Sequence, residues 1–230
     1  MSDDWDENDF DDVGLDDGNN DDLDDEYLDE EILGYLNRMR EEKEKSIETG
    51  AYVNGEWLTF KRQFFFDGKL SLILPESFVE LPPDLAKLKY PSSDRPQIIL
   101  SNIDGTVNFT FSCPVENEMQ SEFCPQVRDY LKLIIERINP SNEVIDASDI
   151  KSENTPISLF RYLNNAVDMR IYNVSYVTVL DGYAMMGTFN CPNRERSDWE
   201  TIVQQSLTSI RDETIPIEEK ATTEVNTEDA

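Results

Sequence analysis

The stretch Met169–Asn190, MRIYNVSYVTVLDGYAMMGTFN, divides at Asp181-Gly182 into two β-rich arms. Asp-Gly supplies the positive φ angles of a type I′ turn, so the arms read as an antiparallel hairpin. Side chains alternate across a strand, and on the first arm both faces carry apolar residues. Ile171, Val177 and Val179 share one face; Tyr172, Val174, Tyr176 and Leu180 share the other. A strand that is apolar on both faces belongs in the middle of a sheet covered on both sides.

Two helices are available as covers. Over Glu122–Ile138 the residues Phe123, Val127, Tyr130, Leu131, Ile134, Ile135 and Ile138 recur on one helical face; Pro125 suits the first turn and Pro140 stops the helix. The second begins at Ser197-Asp198-Trp199-Glu200, a capping-box pattern, continues through Ile202, Val203, Ser206, Leu207 and Ile210, and ends near Arg211. Further hairpins are expected around Asn54-Gly55, Asp67-Gly68 (joining Trp57–Phe66 to Lys69–Leu74) and Asp104-Gly105. Pro-rich residues 75–96 form a loop with one helical turn at Asp84–Lys89. Strands follow at Glu143–Ile150 and Ile157–Leu163, with a turn at Asn164-Asn165. The fold class is α+β: an antiparallel β-sheet flanked by helices, with disordered acidic tails at both ends.

The 230 residues carry a formal charge of −29. Residues 1–31 hold 17 acids and no Lys or Arg, and residues 213–230 contribute −5, which leaves −7 on residues 32–212. Such tails bury too little apolar surface to offset ordering entropy, so residues 1–23 are expected as a disordered acidic leader and 213–230 as a disordered acidic tail. Between them lie an amphipathic helix over 24–48, with Leu28, Ile32, Tyr35, Leu36 and Met39 in its stripe, and an α+β domain over 51–212.

The acidic balance repels phosphate backbones, so no direct nucleic-acid binding is expected. No apolar run reaches membrane-spanning length, the sequence MSDDWDEN lacks a secretion-signal pattern, and a cytoplasmic location is expected. Cys113, Cys124 and Cys191 share no CxxC spacing and read as buried, reduced thiols. Asn173-Val174-Ser175 matches a glycosylation acceptor but falls inside the central strand, which argues against its use.

The chain contains no His, which excludes Ser-His and Cys-His catalytic pairs, and no Gly-rich phosphate loop occurs. No catalytic, cofactor or metal residue is assigned, and no enzymatic activity is expected; a carboxylate-dependent hydrolase would be the least strained exception. A protein partner is expected instead. The contact candidates are Leu28, Ile32, Tyr35 and Leu36 on the early helix and Trp57 and Phe64 among the aromatics Trp57, Phe60, Phe64, Phe65 and Phe66. An alternative is that the acidic leader mimics a polyanion and masks a basic or nucleic-acid-binding partner.

Leu70–Phe78 (LSLILPESF, a strand entering a Pro-containing turn), the strands of Ile157–Asn190 and the terminal helix Trp199–Ile210 (WETIVQQSLTSI) together resemble the PsbP-like, Mog-type α/β/α sandwich, which includes DcrB-like domains. The resemblance covers residues 57–212. It implies a non-enzymatic role as a protein-binding subunit, assembly factor, effector chaperone or immunity-type protein. The acidic leader and the missing signal sequence depart from the exported members of that superfamily.

Overall fold

The computed structural model describes residues 32–34, 45–166 and 168–216. The chain divides into two units, Met1–Glu42 and Lys43–Ala230. In the first, residues 32–34 form a helical turn on which Ile32 and Leu33 are exposed.

The second unit runs through β1 (Ala51–Val53), β2 (Glu56–Leu58), β3 (Phe60–Phe65), β4 (Leu70–Pro75), β5 (Val79–Glu80), α1 (Pro83–Lys89), β6 (Ile98–Ser101) and β7 (Asn108–Ser112). It continues with α2 (Cys124–Ile138), β8 (Glu143–Lys151), β9 (Pro156–Asn165), β10 (Arg170–Leu180), β11 (Tyr183–Pro192), α3 (Arg196–Thr208) and β12 (Arg211–Asp212). Seven strands form one antiparallel sheet in the order β5-β6-β7-β11-β10-β9-β8. A second sheet has the order β12-β4-β3, and β1 pairs with β2.

The Asp-Gly hairpin forms as read: Asp181 (φ 52°) and Gly182 (φ 81°) close β10 onto β11, with Leu180 opposite Tyr183. Strand β10 lies inside the sheet, and its residues are buried almost without interruption from Tyr172 to Thr178. On one face Tyr172, Val174, Tyr176 and Leu180 join Trp199, Ile202, Val203 and Leu207 of α3 and Leu70, Leu72 and Leu74 of β4 in a single core. Rings fill it: Phe109 and Phe189 meet at 4.9 Å, and Trp199 lies 5.7 Å from both Phe78 and Phe189. Helix α3 supplies its share because its apolar residues recur at three- and four-residue steps. Helix α2 covers the opposite face, packing over β8, β9 and β10.

Gly187 sits at a close approach within the core. It pairs with Tyr176 across β10 and β11, and an added Cβ would stand 2.3 Å from Cζ and Oη of Tyr176 and 2.6 Å from the Thr110 carbonyl. The ring lies over bare backbone that only glycine leaves free.

Several expectations need correction. The early helix does not continue to Glu48, because Ser46 and Gly50 form a β-bridge around a turn at residues 47–49, and Ile47 enters the core. The capping box does not form: α3 starts at Arg196, after a 3-10 turn at Asn193–Glu195, and Glu195 makes no side-chain cap. Asn164-Asn165 is not a turn but the end of β9, and Ala166 N–H donates to Met169 O across the true turn. Helix α3 ends at Thr208, so Arg211 belongs to β12, which pairs with β4. The acidic tail therefore does not begin at residue 213: Glu213 N–H donates to Lys69 O at 2.7 Å and Thr214 N–H to Asp212 Oδ1 at 2.9 Å. Cys124 and Cys191 are buried, whereas Cys113 is only half-buried; all three are free thiols. Residues 1–31, Tyr35, Leu36 and 217–230 lie outside the described residues.

Gly187→Ala should lower stability by about 1–3 kcal/mol or more, the cost of overpacking a filled core, read as a reduced urea midpoint. Tyr176→Phe should leave stability unchanged or raise it, because the buried hydroxyl has no hydrogen-bond partner among the described residues. Burial, aided by the Glu200 charge, pushes Tyr172 up to about 12, and burial also pushes Tyr176 and Cys191 upward. The folded chain then keeps protons that unfolded tyrosines release near pH 10. Stability from these groups is complete below that pH and lost as pH climbs from about 10 through 12. Phenolate absorbance and far-UV circular dichroism, recorded in one alkaline titration, should show the buried tyrosines ionising together with unfolding.

Candidate functional site

The described candidate contact residues of the second unit fall at two exposed places. Trp57 on β2 faces Tyr52 on β1 across the register of the short ladder, and their rings meet edge to face at 4.9 Å. The hairpin turns at Asn54 (φ 51°) and Gly55 (φ 79°), the second type I′ turn expected from sequence. Ala51 and Val53 point into the core, which anchors the strands, while Tyr52 remains 53% and Trp57 46% exposed. The Trp57 ring rests on Gly50, whose φ of 109° and missing Cβ make room for it.

Phe64 is 60% exposed on β3, the terminal strand of its sheet. Its neighbours Phe60, Phe65 and Phe66 pack against the core, and Phe65 stacks on Phe111 at 5.2 Å. Phe66 adopts φ 53°, an uncommon conformation for a bulky residue, within the turn that joins β3 to β4. Of the early-helix candidates, Ile32 is 53% exposed in its own unit; Leu28, Tyr35 and Leu36 lie outside the described residues.

A second arrangement was not anticipated. On the face of the large sheet beneath α2, polar residues line up across the strands. Ser101, Asn108, Asn190 and Asn173 stand in register on β6, β7, β11 and β10. The Ser101 hydroxyl donates to Asn108 Oδ1 at 2.9 Å, and Asn108 Nδ2 donates to Asn190 Oδ1 at 2.7 Å. Asn173 Nδ2 donates to Asn164 Oδ1 at 2.7 Å. Asn173 is buried in the sheet, so it presents no accessible glycosylation acceptor. One step along, Thr110, Thr188 and Ser175 repeat the pattern, with the Ser175 and Thr188 hydroxyls 3.0 Å apart. Buried hydroxyls and amides are tolerated because neighbouring strands satisfy them.

Lys89, the last residue of α1, reaches into this ladder. Its Nζ donates to Asn108 Oδ1 at 2.6 Å and to the Gly105 carbonyl. Among the described residues it forms no ion pair, and burial lowers its pKa from the ordinary lysine value. Tyr90 follows: its hydroxyl accepts from Asn190 Nδ2 at 3.5 Å, and burial pushes its pKa up.

Beside the ladder lies a cavity of about 240 Å³ between sheet and helix. Leu131, Ile134 and Ile135 of α2 roof it, and Phe160, Tyr162 and Met186 line its floor with the threonine and serine hydroxyls. The helical face expected to be buried is thus only half-covered, with Phe123, Tyr130 and Ile138 exposed and Cys124 the one fully buried residue of α2. Alternation in Asn108–Ser112 (NFTFS) carried the signal, since every second residue there is polar.

Among the described residues no three Cys, Asp or Glu side chains converge to hold a metal, and no helix is long and apolar enough to cross a membrane. Burial and the Asp149 charge raise the Cys124 thiol to about 11, far from a nucleophile poised at neutral pH.

No family model matches the chain, and no curated protein matches its sequence. Solved structures do match. The solution structure of cyanobacterial PsbP (CyanoP) from Synechocystis sp. PCC 6803 is 9% identical and superposes with a TM-score of 0.50, covering 71% of this chain and 98% of that one. LpqN, described as involved in cell envelope biogenesis of Mycobacterium tuberculosis, is 11% identical at a TM-score of 0.44, covering 69% of this chain and 93% of that one. A structure from Bacteroides thetaiotaomicron VPI-5482 is 13% identical at 0.45, covering 66% and 48%. At such identities the likeness concerns fold alone. The chain has a PsbP-like fold.

Proposed function

We propose that the protein is a non-enzymatic, cytoplasmic protein-interaction module: an adaptor, an effector chaperone or an immunity-type protein. The observation that carries the reading is the Tyr52–Trp57 pair, two large aromatic rings held in contact yet half-exposed on an anchored hairpin. Tyrosine and tryptophan are the residues that most often dominate binding energy at protein interfaces. Phe64 adds a third exposed ring, on a terminal strand whose outer edge pairs with no other strand among the described residues and suits an extended segment. The three free thiols suit a reducing compartment.

A second reading is favoured by the charge distribution: residues 1–31 carry −17 and could mask a basic partner as a polyanion. The two readings respond oppositely to the same experiment. Tagged protein is used to recover partners from lysate, and the affinity for each purified partner is measured for the parent chain, Tyr52→Ala, Phe64→Ser and a chain lacking residues 1–31. The interaction-module reading expects Tyr52→Ala to cost about 2 kcal/mol, roughly thirtyfold in Kd, with little change in melting temperature because the ring is half-exposed. It also expects binding to survive removal of the leader. Binding that collapses with added salt and with loss of residues 1–31, while both aromatic variants bind normally, establishes the polyanion reading instead.

A further inference from the structure

Around α1 the fold gathers charged groups that do not meet one another. Leu81 N–H donates to Ile99 O at 2.8 Å, which ties the entry of α1 to β6. The chain after α1 folds back so that Arg95 Nε donates to Tyr90 O at 3.1 Å. Between α1 and this returning segment lies a half-open cavity of about 370 Å³. Leu81, Pro83, Pro96 and Ile99 give it apolar walls, and Lys87, Arg95 and Glu80 border the same space.

These charges stand out from the rest of the domain. Among the described residues every other arginine forms an ion pair, Arg137 excepted. Arg137 is exposed in the last turn of α2, where a cation suits the helix dipole. Arg95 is half-buried instead. Its bond to Tyr90 O holds the guanidinium, while the terminal N–H groups of the fork have no partner among the described residues. Lys87 and Glu80 are exposed, and neither forms an ion pair among the described residues. Two cations and a carboxylate thus border one apolar-walled space without neutralising each other. A ligand that satisfies all of them carries a carboxylate for the Arg95 fork and Lys87, an ammonium for Glu80 and an apolar body for the walls.

We propose that this cavity binds a free α-amino acid with an apolar side chain. At the roughly 30 Å³ that one water occupies in the liquid, the space holds about a dozen non-hydrogen atoms, the size of leucine or phenylalanine. Such a zwitterion has no net charge, so the −29 of the chain does not repel it as it would an anion. The cavity is half-open and its charges are partly hydrated, which sets the expected Kd at about 1 mM. The inference is independent of the partner-binding reading, which rests on the Tyr52–Trp57 hairpin and on β3.

The test titrates L-leucine into the full chain and follows amide chemical shifts. Three controls each remove one feature: isocaproate lacks the ammonium, isoamylamine lacks the carboxylate, and glycine lacks the apolar body. Leucine should bind saturably, shifting resonances of Glu80, α1 and residues 93–99, and each control should bind about fivefold more weakly. Arg95→Gln should weaken leucine about fivefold while leaving isoamylamine unchanged. Glu80→Gln should weaken leucine to a similar degree while leaving isocaproate unchanged, and circular dichroism should show both variants folded. The proposal is overturned by no saturable shift with leucine up to about 10 mM, by equal binding of leucine and isocaproate, or by unchanged leucine affinity in the folded variants. Tighter binding of inorganic phosphate than of leucine also overturns it, in favour of a simple oxyanion site.

Discussion

The ring of Tyr176 lies across the bare backbone of Gly187, and this contact holds β10 and β11 together where any side chain larger than hydrogen would collide. Without a Cβ on β11, the tyrosine lies down between strands rather than standing up from the sheet, and the Thr110 carbonyl of β7 closes the third side. In the same core Phe109 meets Phe189, Phe189 meets Trp199 and Phe65 stacks on Phe111, all at ordinary aromatic distances. The arrangement has a local cost, since the tyrosine hydroxyl and the Trp199 indole N–H are both buried without a hydrogen-bond partner among the described residues. A core that accepts two such groups must gain more from shape than it loses in polarity.

The other face of the same strands obeys a different rule. There, asparagines, serines and threonines stand opposite one another and exchange hydrogen bonds from strand to strand, so the face can be removed from water without being apolar. A face that satisfies itself in this way gains little from a tightly sealed cover. Helix α2 accordingly sits over it with its apolar residues half-buried, and α1 contributes a charged lysine tip rather than an apolar one. The sheet is therefore closed by packing on one side and by hydrogen bonding on the other.

This division also explains what could be read from the sequence. Asp181-Gly182 and Asn54-Gly55 announced their hairpins because positive φ angles at both turn positions restrict the residues allowed there, a local rule with a local signature. Trp199, Ile202, Val203 and Leu207 announced α3 through their spacing. The failures share a long-range cause. Strand β12 is too short to carry a pattern and exists because Arg211 and Asp212 find the edge of β4. Ser197 makes no cap because α3 begins one residue earlier, after a preceding 3-10 turn. Phe66 takes a left-handed conformation that nothing in its own residue type requests, within a turn whose Asp-Gly pair marks only the centre. Trp57 and Phe64 were singled out by residue type, and only the fold separates them from Phe60, Phe65 and Phe66, which turn to the core.

The polar ladder was hidden for a related reason. Alternation in NFTFS marks one polar face on β7, but the order β6-β7-β11-β10 brings together residues up to 89 positions apart, from Ser101 to Asn190. Lys89 meets Asn108 only because α1 ends above the β6-β7 turn, where Gly105 (φ 70°) lets the chain reverse and present its carbonyl. Neither residue is unusual alone. Placed together, they hold a cation at the end of the polar ladder, on the sheet face away from the α3-side core that anchors β1 and the Tyr52–Trp57 pair. Strand β10, paired on both edges, turns one row of side chains to each of these environments. One sheet thus supplies an apolar core on one side and a self-satisfied polar face on the other, and each follows from the alternation of side chains along the same strands.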